Sequence, residues 1–267
     1  MRLRARGASI VPVLGVLCAA AWLTPPFSAV AQTPLGGDRR FAGLEWTFAR
    51  IVYQGSKLPG LSGCDTFDEC WTIDYPAAEQ NLSRRLRTVT SIQVNEPISF
   101  PIDDDKLWVN PWIYLVEPGT WIPSDADVER LREYLLRGGT LTFDDFHGNV
   151  EWANLEKQMK RVFPDRRFVD LPPQHPVFNC FYKIPEYPQT PGLGSFLQGR
   201  MWEKGGYTAR LRAIEDDNGR AMVLANWNTD MGDGWEWSNA ADYPGYVRFT
   251  TQAYRMQINE IVYSLTH

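Results

Sequence analysis

The sequence predicts an α/β fold: a three-layer sandwich around a mainly parallel sheet, with a late β-hairpin. Three observations carry this expectation. Short runs of β-branched and aromatic residues alternate with segments of helical period over most of the chain. The run from Tyr134 to Gly148 joins a helix end, a glycine pair and a strand-like stretch. Late in the chain, Asp217-Asn218-Gly219 separates two apolar runs, a strong hairpin signal.

Taken in order, Glu45 to Tyr53 reads as the opening strand, with Trp46, Phe48, Ile51 and Tyr53 among its apolar positions. A loop of Gly, Pro, Ser and Cys follows to Thr72. Asp74 then reads as an N-cap, with Pro76 near the first turn and a stripe of Ala78, Leu82 and Leu86. Ser91 to Val94 and Pro111 to Val116 read as short buried strands. Ser124 with Asp127 forms a capping box, and Val128, Leu131 and Leu135 keep helical spacing up to Gly138 and Gly139.

Thr140 to Phe143 suits a strand, which places Asp144, Asp145 and His147 just beyond its carboxyl end. Glu151 to Val162 reads as a helix with Trp152, Leu155, Met159 and Val162 on one face, and Phe168 to Leu171 as a weak strand. Pro185 to Gly206 keeps no hydrophobic period and reads as a long loop covering something. Tyr207 to Ile214 and Arg220 to Trp227 form the hairpin, Asn226 to Trp237 a polar and aromatic loop, and Val247 to Leu265 the closing helix. In an open parallel sheet the loops after Tyr53, Val116, Phe143 and Trp227 are expected to converge on one edge.

Residues 1–31 read as an export signal, with Arg2, Arg4 and Arg6 before an apolar run and Ala29-Val30-Ala31 at its end. The run from Ile10 to Leu23 is about 14 residues, short of the roughly 20 that a membrane span needs. A single domain over residues 32–267, in the periplasm or outside the cell, is the resulting expectation. No transmembrane segment is expected after cleavage. Beyond residue 31 the chain holds 24 basic and 32 acidic residues, a charge of about −8. That balance argues against nucleic acid or an anionic membrane surface as partner. In an oxidising compartment Cys64 and Cys70 are the favoured disulfide pair, whereas Cys180 suits a buried apolar position.

The motifs Phe48 to Tyr53, Asp74 to Glu79, Leu135 to Gly139, Phe143-Asp144-Asp145-Phe146-His147-Gly148, His175 to Phe178, Asp217 to Arg220 and Leu265 to His267 together resemble a bacterial family of exported or membrane-attached proteins, domain of unknown function 4159. The resemblance covers nearly all of the chain after residue 31. It implies a fold related to the class I glutamine amidotransferase-like superfamily, with a flavodoxin-like sheet, and it carries no activity. Glutaminase members of that superfamily use a cysteine on a sharp strand-to-helix turn. The turn here reads Asp144-Asp145-Phe146-His147-Gly148, without cysteine or serine, so a thioester mechanism has no nucleophile.

Asp145 and His147 have the chemistry of a base and an acid, and with Asp144 they also suit metal ligation or a purely structural role. On a regular strand Asp144 and Asp145 point to opposite faces. Further candidate ligand-binding residues are His175, Asn226, Asp230, Trp235 and Glu236, the last four in a loop where Trp227, Trp235 and Trp237 suit either stacking on a sugar or pinning the loop to the sheet. With three histidines in the chain, a multi-histidine zinc site is not expected. No cofactor is expected, a carboxylate-rich calcium or magnesium site being the exception that Asp230, Asp233 and Glu236 permit. The leading expectation is a non-catalytic ligand-binding or scaffolding domain. An envelope-directed hydrolase using Asp145 and His147, and an interaction module of an envelope complex, are the alternatives. The partner is accordingly an unidentified small molecule, a glycan or an envelope protein.

Overall fold

The computed structural model describes residues 45–56, 67–238 and 241–267, all within the unit Asp38–His267. The expected export signal and Cys64 lie outside the described residues. In chain order the elements are β1 (Glu45–Trp46), β2 (Ala49–Val52), α1 (Ala77–Val89), β3 (Gln93–Val94), β4 (Ile98–Pro101), β5 (Trp112–Val116), α2 (Asp125–Leu136), β6 (Thr140–Phe146), α3 (Gly148–Val162), β7 (Val169–Asp170), α4 (Leu193–Leu197), β8 (Arg210–Glu215), β9 (Ala221–Trp227), α5 (Met231–Glu236) and α6 (Val247–Thr266). No described helix is long and apolar enough to cross a membrane.

The result is a mixed α/β fold on a seven-stranded sheet of order β4-β2-β5-β6-β9-β8-β7. The strands from β4 to β9 in that order pair in parallel, and the hairpin β8–β9 and then β7 add antiparallel strands at one side. Along β5 the side chains alternate. Ile113 and Leu115 enter a core cluster with Val128 and Leu131 of α2 and Leu155 and Met159 of α3. Trp112, Tyr114 and Val116 enter a second cluster with Leu82 and Leu86 of α1 and Met256 and Ile261 of α6. Burial on both faces explains why these parallel strands read as continuous apolar runs rather than alternating ones.

Several elements follow their local chemistry. Ser124 Oγ accepts the Asp127 N–H at 3.1 Å, and Asp127 Oδ2 accepts the Ser124 N–H at 3.2 Å, closing the capping box on α2. Gly138, at φ 111°, reverses the chain after α2. A side chain at Gly139 would strike the Tyr134 ring. The hairpin turn is held by Asp216 Oδ1, which accepts the N–H groups of Asn218 and Arg220.

The structure corrects six local expectations. The opening strand is two strands, because Trp46 pairs with Val94 but Ala49 with Ile98, leaving one extra residue on the partner side between them. Of the stretch Ser91 to Val94, only β3 is strand, and it lies in a separate two-stranded sheet with β1. Strand β4 is absent from the sequence reading: Pro97 and Pro101 break its pattern, yet an edge position tolerates them. Asp74 caps no helix. Its φ is 64°, Pro76 occupies the cap position, and only the Asp74 carbonyl bonds α1, accepting the Ala78 N–H at 3.0 Å. Finally, the stretch Asn226 to Trp237 is not one loop, since Asn226 and Trp227 end β9 and Met231–Glu236 forms α5. The Pro185 to Gly206 segment also contains α4.

Candidate functional site

Strands β2, β5, β6 and β9 run parallel, so the segments after them meet at one edge. The Tyr53 hydroxyl, just past β2, lies 2.9 Å from the Val116 carbonyl and 2.8 Å from that of Glu117, tying the ends of β2 and β5. Glu117 adopts φ 50°, which turns its side chain out of the strand direction. Strand β6 extends to Phe146, so Asp144 and Asp145 lie within it rather than beyond it. Its register with β9 slips between Phe143 and Phe146, and Asp145 sits in the slip at φ 55°.

The slip gives the two aspartates different work. Asp144 is fully buried and accepts from the Tyr114 hydroxyl at 3.0 Å, the Met231 N–H at 3.3 Å and the Gly232 N–H at 2.9 Å. It therefore holds the amino end of α5 against the sheet. Burial and the neighbouring Asp145 push its pKa up to about 7. Asp145 instead contacts His147 Nε2 through Oδ1 at 3.1 Å and lines a cavity of about 330 Å³.

That cavity is lined by Asp74, Glu117, Asp145, Glu203, Asp230 and Asp233, with no lysine or arginine among its lining residues. They arrive on several segments of the chain. Asp230 Oδ1 caps α5 by accepting the Asp233 N–H at 2.7 Å, and Asp233 Oδ2 accepts the Leu193 N–H at 2.5 Å. The long segment before β8 thus covers the site, contributing Gly192, Glu203 and Lys204. Asp74 reaches the cavity because α5 offers it a glycine: a side chain at Gly232 would collide with Asp74 Oδ2. We therefore expect Gly232→Ala to keep the fold, since alanine suits a helix better than glycine, and to displace the Asp74 carboxylate. Unfolding curves near wild type with weakened ligand binding are the expected pair of results. Unchanged binding would remove Asp74 from the site.

Electrostatically the site is unbalanced. Burial first, and then mutual repulsion, holds Asp74, Glu117 and Asp230 well above the usual carboxylate range, and Asp233 is raised chiefly by burial. Lys204 lies at φ 45°, with Nζ 2.7 Å from Glu151 Oε1 and 3.6 Å from Glu117 Oε2. Burial lowers its pKa, but Glu117, Glu151 and Asp145 outweigh that and raise it. Burial likewise lowers the His147 pKa, and the bond to and charge of Asp145 more than reverse this. The His147 main-chain N–H donates to Glu151 Oε2 at 2.6 Å, so His147 and Glu151 fix the start of α3.

The other residues singled out in the sequence divide. Asp230 and Asp145 come together with Asp74, and Glu236 with Asp74 and Asp233, each group with candidate ligand oxygens within 4.8 Å of one another. His175 does not join them. Its Nδ1 accepts the Val177 N–H at 3.2 Å and its ring lies 5.1 Å from that of Tyr263. The Tyr263 hydroxyl bonds the first residue of β9, at the opposite edge of the sheet. Asn226 is fully buried and accepts from the Tyr187 hydroxyl at 2.5 Å. Trp235 is fully buried against Phe48 and Tyr114, so it is a core residue and offers no stacking face. Trp227 packs on Trp152, and Trp237 is exposed with Nε1 on Asp233 Oδ1 at 3.0 Å. Cys70 is buried next to the Thr120 hydroxyl at 3.5 Å, and Cys180 donates to the Asn259 carbonyl at 3.2 Å.

Sequence reasoning passes over Glu117, Glu203, Lys204 and the site role of Asp74. A second, larger cavity of about 610 Å³ is lined by Arg132, Phe163 and Arg166. Its arginines are already engaged, with main-chain carbonyls of Val162 and Glu215 and, for Arg166, with the Asp217 carboxylate on the same wall. Among curated proteins none matches the chain. A family model does, over residues 47–265, which takes in every strand from β2 onward and the whole acidic edge. The chain therefore belongs to the family described as domain of unknown function (DUF4159).

Proposed function

We propose that this protein is an exported binding domain that takes a cationic ligand in the acidic cavity at the carboxyl edge of its sheet. The observation that carries the reading is the cavity itself: six carboxylate side chains from several segments face a space of about 330 Å³. Gathering these acids, with Glu117, Asp145 and Asp230 buried, costs stability, and a positively charged ligand offsets that cost when bound. In this reading residues 1–31 are a cleaved signal, residues 32–267 form one domain in the periplasm or outside the cell, and Cys64 pairs with Cys70. The fold is a three-layer, flavodoxin-like sandwich of the amidotransferase-like kind. Strand order and the two core clusters support that relation. So does Asp145, which holds a left-handed conformation just before α3, near the place where glutaminase members carry their cysteine.

Thermal unfolding against a ligand panel tests the reading. Divalent cations, spermidine and amino sugars should raise the midpoint, while neutral sugars and carboxylates should not. At 100 times its dissociation constant a ligand adds about 2.7 kcal/mol, a shift of several degrees in a domain of this size. Stabilisation by neutral or anionic ligands alone would contradict it.

One observation favours a second, enzymatic reading, the 3.1 Å contact between His147 Nε2 and Asp145 Oδ1. As acid and base these two would serve an envelope-directed hydrolase. Against this, His147 is 2 % exposed and is not among the residues lining the cavity. Hydrolysis of an envelope sugar or peptide that is lost in His147→Ala would establish the enzymatic reading instead.

A further inference from the structure

We propose that Asp74, Asp145 and Asp230 together bind one hard divalent cation of the Mg²⁺ or Ca²⁺ type. The inference rests on the cavity being a cationic-ligand site and names the ligand's class. One carboxylate oxygen from each residue lies within 4.8 Å of the others. Around Mg²⁺ at roughly 2.0–2.1 Å, or Ca²⁺ at roughly 2.3–2.6 Å, ligands on opposite sides of the ion stand about 4–5 Å apart, so the three oxygens fit one coordination sphere. The set is all oxygen, and hard cations prefer such donors over the softer transition metals.

An acidic cluster alone would not carry this, but one of the three proposed ligands points to a missing partner. Asp74 Oδ2 is buried and accepts no hydrogen bond. Buried carboxylate oxygens are normally satisfied, and a directly bound cation satisfies several at once. The surroundings fit a coordination shell: His147 Nε2 lies 3.1 Å from Asp145 Oδ1 and the Asp233 N–H lies 2.7 Å from Asp230 Oδ1, so each of these ligands keeps its second oxygen for the ion while the first is oriented. A neighbouring set, Asp74 with Asp233 and Glu236, is less suited. Both Asp233 oxygens already accept, from the Leu193 N–H and from Trp237 Nε1.

Calorimetric titration of the chelator-treated protein with MgCl₂, CaCl₂ and, separately, spermidine tests the inference. The expected result is binding of one Mg²⁺ or Ca²⁺ per chain, weakened at least tenfold in Asp74→Asn and in Asp230→Asn. The surface variant Glu96→Gln should bind as wild type does. Cation binding that both site variants leave intact would overturn the site. Spermidine binding without metal binding would overturn the inference and leave the cationic-ligand reading standing. Binding of none of the three would overturn both. Loss in Asp74→Asn with Asp230→Asn unaffected would move the ion to the Asp233 and Glu236 set and overturn the assignment.

Discussion

Arg50→Ala should cost this protein about 3–5 kcal/mol of stability, the loss expected when one partner of a buried ion pair is removed. Arg50 lies in β2 with no exposed surface, and its guanidinium bonds the Glu79 carboxylate of α1. Its Nη1 also donates to the carbonyls of Trp71 and Ile73, each at 3.0 Å. Those two bonds fix the main chain immediately before Asp74, so one residue joins the sheet, a helix and the segment that delivers a site carboxylate. The expected signature is a lower urea midpoint together with weakened ligand binding. Glu79→Gln should also be costly, because glutamine still accepts from Arg50 but leaves its buried charge uncompensated. A near-wild-type midpoint for Arg50→Ala would show that the ion pair is incidental.

Stability should fall as pH rises from about 5 to 8, opposite to the usual behaviour of carboxylates in ion pairs. Burial, and then the charge of Asp144, pushes the Glu260 pKa from 4.5 up to about 8, and Asp144 is itself raised from 3.8 to about 7. A raised folded-state pKa means that between the two values the native state binds more protons than the unfolded chain. Stability gained from these protons is complete below the unfolded values near 4 and is lost by about pH 8. Each such group contributes a slope of up to about 1.4 kcal/mol per pH unit. Glu260, fully buried between Thr142, Asn226 and Gln257, belongs to the core rather than to the cavity. Glu260→Gln should therefore flatten the profile and raise stability at pH 8 without touching ligand binding. Urea unfolding at four pH values, with constant slope against denaturant, reads this directly. A profile that rises with pH would reverse the assignment of protonated interior acids.

Much of this architecture is legible in the sequence because periodicity, caps and turn chemistry are local. The capping box at Ser124 and the turn at Asp216 to Gly219 form from residues a few positions apart, and both appear where the sequence places them. The strand ends are less legible. Strand β6 runs through Asp144 to Phe146 because neighbouring strands on both sides supply hydrogen bonds that no local propensity records. The edge strand β4 is hidden by its prolines for the opposite reason, since it has one neighbour within the sheet. The site follows the same division. Loops after parallel strands are expected at one edge, and Asp145 and Asp230 lie there together. Asp74 carries no such sign, because an aspartate before a proline-led helix reads as a cap. Only its left-handed backbone and the glycine of α5 turn its carboxylate toward the cavity. Trp235 shows the converse error: a tryptophan among polar residues suggests a stacking face, yet it packs fully inside.

Asp74→Asn separates the two uses of a buried carboxylate. Asparagine tolerates the left-handed conformation at φ 64°, and no hydrogen bond to Oδ2 exists to be lost. If the acidic edge is held together for a cationic ligand, removing this charge relieves repulsion in the free protein. Urea unfolding in chelator-treated buffer at pH 7.5 should then show Asp74→Asn to be more stable than wild type, by about 1 kcal/mol, as expected when a site trades stability for function. The same variant should lose the stabilisation that a cationic ligand gives the wild type. A variant less stable than wild type, with its response to ligand intact, would make Asp74 a structural residue and contradict a ligand site at this edge.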